Sequence, residues 1–208
     1  MSPIVLSGPR TRRNTVRALW FALAAQSLWF ALNGLVLHRA PGLDAFGVAV
    51  TVLFAVFAAL RDRWSWLSVL VRLLMAAEFL LAVCDRFGVF GAPGAAGVSW
   101  GDFAHFVDYT RSMTTFLPGG LAWPLAVAAT VAELGLGLAL LLGLRTRLAA
   151  QAAAGLLAVY GVSMTISLPA AEQFHYVVFV LCGGMLVLAT LDRVPFGVDA
   201  LAARAALV

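Results

Sequence analysis

The sequence predicts an all-α fold, a polytopic membrane helix bundle of about six transmembrane helices. Three observations predict it. Of 208 residues, 62% are apolar and 12% charged, with a mean hydropathy of +0.96, more apolar surface than a soluble domain of this length needs. The apolar residues fall in six runs of about 18 or more, each long enough to cross a hydrocarbon core of about 30 Å. All fourteen basic residues are arginines, most of them gathered in short clusters between those runs, where basic residues set topology. The net charge of +4 therefore marks orientation in a bilayer, and a nucleic-acid partner is excluded because no basic aromatic surface is left over.

Taken in order, residues 1–17 form a cytoplasmic arm carrying Arg10, Arg12, Arg13 and Arg17. The first apolar run, Ala18–Leu37, exceeds the core of a signal peptide and is followed by no A-x-A pattern, so it is a retained span. With Leu43–Leu60 it makes an N-terminal helical hairpin over residues 18–60. The third span is Leu67–Cys84, the fourth Leu121–Leu144, the fifth Leu148–Leu168 and the sixth Phe174–Leu191; residues 192–208 are a cytoplasmic tail. Lipid offers no hydrogen-bond partners, so each run must be a helix.

With both termini cytoplasmic, Arg10, Arg12, Arg13, Arg17, Arg61, Arg63, Arg145, Arg147, Arg193 and Arg204 fall inside, against Arg39, Arg86 and Arg111 outside. This bias orients a multi-pass protein of the cell (inner) membrane. His38, His105 and His175 then share the outer side with Asp44, Asp85, Asp102, Asp108 and Glu172, so proton exchange is expected to face outward. Asp102, His105, Tyr109 and His175 are the outer-face candidates.

The long outer connection, residues 85–120, opens with "DRFGVFGAPGAAG", where glycines and proline favour irregular chain. It continues "VSWGDFAHFVDYTRSMTTF", read as an interfacial helix over Ser99–Phe116 capped by Ser99. Phe103, Phe106, Val107 and Met113 share one side, and Asp102, His105, Tyr109 and Ser112 another. A lid with chemistry and a lid without it both fit this pattern.

Three charges stand within the spans. Glu133 and Glu78 lie near the midplane of the fourth and third spans, where an ionised carboxylate costs roughly 2.5 kcal/mol or more. Arg72, on the third span, is separated from Glu78 by about 240° of rotation, so Arg72 is expected to pair with Glu133 on the neighbouring helix. Such a pair fixes helix packing, or with Glu78 it forms a proton relay or the polar wall of a headgroup pocket; both readings stand. Gly135, Gly137 and Gly143 are expected at helix-packing contacts, as are Ala150, Ala154 and Ala158. Tyr160, Ser163, Thr165 and Ser167 add hydroxyls to the fifth span. Cys84 and Cys182 have no disulfide or metal spacing. No metal site is expected, and no autonomous catalytic motif is legible.

The segments "VRLLMAAEFLLAVCDRFGVFG", "WGDFAHFVDYTRSMTTFLP", "ATVAELGLGLALLLGLRTRLAA" and "GVSMTISL", in that order, resemble the DoxX family of small bacterial and archaeal membrane proteins. The resemblance runs from about Ser65 to Leu191 and matches Arg72, Glu133, Gly137, Gly143, Arg145 and Arg147. It implies a four-helix membrane domain over residues 65–191. Some members are similar to the small subunit of thiosulfate:quinone oxidoreductase, and others are linked with complexes that handle thiol and oxidative stress. The resemblance thus implies a subunit of a quinone-linked or thiol redox complex, with a bound quinone and a redox protein partner or a second copy of the chain. The alternative is a non-catalytic scaffold or assembly subunit. Here Cys84-Asp85-Arg86-Phe87 stands where the family commonly has a small residue, Asp and Lys, and the first two spans lie outside the resemblance.

Overall fold

A computed structural model describes residues 8–33, 45–192 and 194–205. His38, Arg39, Asp44 and Arg193 lie outside the described residues. The elements in order are α1 (Pro9–Ala31), α2 (Ala45–Leu60), α3 (Trp66–Arg86), α4 (Phe103–Met113), a 3-10 turn (Gly119–Leu121), α5 (Ala122–Leu142), α6 (Thr146–Ser167), α7 (Ala170–His175), α8 (Val178–Leu188) and α9 (Val198–Ala205). Three helical stretches, α3, the 3-10 turn continued by α5 (Gly119–Leu142), and α6, are long and apolar enough to cross a membrane; α2 and α8 are shorter apolar helices.

Helix α1 starts well before the apolar run. Pro9 occupies the first turn, where its fixed φ and missing N–H suit a helix start, so Arg10, Arg12, Arg13 and Arg17 ride on helix rather than on a separate arm. Thr15, Leu19, Leu23 and Gln26 form its buried stripe. That stripe meets α8 at Gly183, where a Cβ would come within 3.0 Å of the Leu19 backbone. At Gly184 a Cβ would overlap the Phe54 ring of α2. The paired glycines thus let α1 and α2 seat on α8. Leu19, Phe54 and Phe57 join Met75, Leu140, Leu157 and Met185 in one core, so the N-terminal hairpin packs as part of the bundle.

Helices α3 and α5 run antiparallel in close contact, with Gly137 against Leu80 and Phe79. A Schellman turn closes α5: Gly143 is left-handed (φ 65°), Leu144 N–H donates to Ala139 O at 2.9 Å and Gly143 N–H to Leu140 O at 3.2 Å. Helix α6 follows at once, and the C-terminal segment clasps this turn. The Asp199 carboxylate accepts from the N–H groups of Arg145 (2.8 Å) and Thr146 (2.7 Å), satisfying donors that a helix start leaves open.

The expected sixth span is broken. Val177 adopts φ 46°, a conformation unfavourable for a β-branched residue, which separates α7 from α8 and turns Tyr176 back toward the bundle. The outer helix is also shorter than Ser99–Phe116. Asp102, not Ser99, caps α4, accepting from His105 N–H at 2.8 Å. Ser99 instead donates its N–H to Asp85 at 3.2 Å. Phe106, Val107, Thr110 and Met113 are the buried face of α4, which lies across the loop end of α5 and α6.

Candidate functional site

The site begins with a dipeptide at the end of α3. Asp85 and Arg86 are buried, at 5% and 2% exposure, and point to different tasks. Asp85 Oδ2 accepts from the N–H groups of Ser99 and Trp100, at 3.2 and 2.8 Å, pulling the glycine-rich loop back over the helix. Gly101 (φ 73°) makes this fold possible: a Cβ there would meet the Pro93 backbone within 3.0 Å. The loop thereby sets Trp100 over the Arg86 guanidinium, 5.2 Å from ring centroid to Cζ, while Phe106 of α4 approaches to 3.6 Å. Two aromatic faces stabilise a cation that has left water.

Arg86 turns into the bundle. Its Nη2 lies 2.6 Å from Glu133 Oε2, and its Nη1 donates to Thr130 Oγ1 at 3.0 Å. Glu133, 2% exposed, is bound on its second oxygen by the Tyr160 hydroxyl at 2.5 Å. Three helices, α3, α5 and α6, thus meet in a charge-assisted network whose carboxylate has a donor on each oxygen. Among the described residues, Arg86 Nε and Asp85 Oδ1 are buried without a hydrogen-bond partner, and buried polar atoms left unsatisfied call for an explanation.

The network forms one wall of a cavity of about 420 Å³, within the range of roughly 300–1,000 Å³ usual for small-molecule sites. Its lining is mostly apolar, from Met75 and Phe79 of α3 to Leu156 of α6 and Leu181 of α8, with Glu78, Thr110, Thr114 and Ser163 as further polar members. The loop end is closed by Trp100, by α4 and by the Tyr109 and Tyr176 rings, whose centroids are 6.4 Å apart. Burial holds the Tyr109 hydroxyl above the ordinary tyrosine range, reinforced by the neighbouring Tyr176 and the Glu172 carboxylate.

The DoxX family model matches residues 67–166. Residues 67–166 are thus similar to the DoxX family. No curated protein and no solved structure matches it. The DoxX match takes in α3, the folded-back loop, α4, α5 and nearly all of α6, and hence Arg86, Glu133, Thr130, Tyr160 and Trp100 together. Tyr176 and Leu181 reach the same cavity from outside it.

Within this DoxX-like region the expected pairing of Arg72 with Glu133 is corrected: Arg86 holds Glu133. Arg72 instead donates to the carbonyls of Leu140 (2.7 Å), Leu141 (3.2 Å) and Phe196 (2.5 Å). It binds the open carbonyls at the end of α5 and fastens the C-terminal segment there. Glu78 lines the cavity with Glu133. Of the outer-face candidates only Tyr109 lines the cavity. Asp102 and His105 are on the water-facing side of α4, with His105 Nδ1 2.8 Å from Asp102 Oδ1. Hydrogen bonds from His105 hold the Asp102 carboxyl below its usual range. His175 is exposed and packs edge-on against Tyr176. Of the glycines, Gly137 lies at the α3–α5 contact and Gly143 makes the room that Arg72 and Gly197 occupy; a Cβ on Gly135 would meet nothing within 4 Å, so Gly135 is not at a packing contact. Cys84 and Cys182 are free thiols.

Proposed function

We propose that this DoxX-like protein is a multi-pass subunit of the cell membrane that holds the head of a quinone-like, lipid-soluble molecule against Glu133, Arg86 and Tyr160. The observation that carries this reading is a buried carboxylate, with its arginine and phenol, set in the wall of a mostly apolar cavity. Such a surface fits a ring bearing carbonyl or hydroxyl oxygens: the guanidinium donates, and the phenol oxygen and the carboxylate accept. The bilayer supplies this molecule, and a redox protein partner supplies the electrons that a quinone takes up. Six spans with both termini cytoplasmic remain the topology that best fits the arginine distribution.

A second reading has its own support. Both Glu133 oxygens are already satisfied within the chain, as in a structural lock that fixes α3, α5 and α6 for an assembly subunit or scaffold. Purification in mild detergent, solvent extraction and mass spectrometry separate the two. A quinone at near-stoichiometric amount, reduced in a Tyr160→Phe preparation that stays folded, supports the ligand site. A preparation that carries no quinone and retains a partner protein supports the scaffold.

A further inference from the structure

We infer that the cavity is filled sideways from the bilayer, through a gap between α5 and α6, with an apolar tail left lying in that gap. This rests on the reading of the cavity as a ligand site and adds the route and the shape of the ligand.

Among the cavity-lining residues, those that are also exposed belong to two helices: Leu125 and Ala128 on α5, and Val159 on α6, the last 61% exposed. The mouth therefore lies between these helices. It is apolar, and it continues into the exposed face of α5 carrying Val131, Leu134 and Leu138, the surface that a spanning helix turns to lipid. Ala128 is five residues from Glu133, about 7.5 Å along a helix, so a ring head seated at Glu133 places its first tail carbons at the mouth. Ala128, Ala129 and Ala132 keep the passage open on the α5 side. Tyr160 and Glu133 bridge α5 and α6 at its inner limit.

Among the described residues, the end covered by α4 offers no comparable path. Phe106 and Met113 of α4 are buried over the cavity, Trp100 stands on Arg86, and the Tyr109 and Tyr176 rings meet beside them. A water-soluble ligand has to displace α4, whereas an amphiphile already in the bilayer needs only the α5–α6 gap.

Photo-crosslinking of the full chain in lipid nanodiscs tests the route. The probe is a benzoquinone whose decyl tail carries a diazirine, competed with the tail-less benzoquinone. The expected result is competable labelling on α5 and α6 around Leu125, Ala128 and Val159. In Ala128→Trp, with an unchanged melting temperature, this labelling falls at least about tenfold, the factor that 1.4 kcal/mol of lost binding gives. Should that variant unfold, Val159→Trp replaces it from the opposite wall. Competable labelling confined to α4 and the loop before it overturns the lateral route and leaves the ligand site standing. Labelling that the tail-less quinone does not compete overturns the ligand site itself.

Discussion

Glu133→Gln removes the counter-charge of an arginine that is almost wholly out of water. In the folded protein Arg86 keeps Thr130 and two aromatic faces but loses its only ion-pair partner among the described residues. Breaking a buried pair from one side costs about 3–5 kcal/mol, because the remaining charge stays desolvated. The same reasoning applies to Arg86→Gln, which leaves the Glu133 carboxylate with the Tyr160 hydroxyl alone. The double variant Arg86→Gln/Glu133→Gln carries no buried charge there and should recover much of the loss. For a chain of this length, 3–5 kcal/mol corresponds to a fall in Tm on the order of 6–20 °C. Thermal unfolding in one detergent, for the four proteins of the cycle, measures the coupling. Two singles that add to give the double refute the pair. A cycle in which Arg72 rather than Arg86 couples to Glu133 refutes the arrangement of α3 against α5.

Gly143→Ala should lower stability by about 1–2 kcal/mol from its left-handed backbone alone, and further where the added Cβ meets Arg72 and Gly197; detergent melting measures it. Asp199→Ala removes the acceptor for the Arg145 and Thr146 N–H groups, a capping loss of about 0.5–2 kcal/mol, read as faster proteolysis of the C-terminal segment. Because Tyr109 holds its proton more tightly when folded, its contribution is complete below the ordinary tyrosine pKa of about 10 and is lost as pH rises beyond it. Tyr109→Phe should therefore flatten the alkaline fall of a stability–pH curve.

The spans were legible where length and composition decide them. Leu67–Cys84 and Leu148–Leu168 differ from α3 and α6 by no more than two residues at each end, because a sustained apolar run bounded by arginines leaves few alternatives. Glu133 was legible as a buried acid for the same reason. Its partner was not, because apolar runs do not encode how far one helix is shifted along another. That stagger comes from Gly137 seating on Leu80 and Phe79. Four residues before Gly137, Glu133 comes level with the last turn of α3, within reach of Arg86, while Arg72 comes level with the Gly143 turn. Arg86 itself read as a loop residue, since two residues of α3 lie beyond the apolar run. An Asp-Arg pair closing a span, ahead of a glycine-rich segment, was the available signal. The break at Val177 had none, as neither valine nor its neighbours favour a left-handed backbone.

The wall formed by Glu133, Arg86 and Tyr160 either receives a ligand or only locks three helices together. Difference absorbance during titration of a decyl-tailed benzoquinone into the protein in nanodiscs measures this directly, with Tyr160→Phe as the paired variant. Loss of one hydrogen-bonding hydroxyl is worth about 0.5–1.5 kcal/mol, so the parent chain should bind saturably and Tyr160→Phe roughly twofold to twelvefold more weakly. Signal that rises linearly with quinone in both proteins, as expected for partition into lipid alone, contradicts the ligand site.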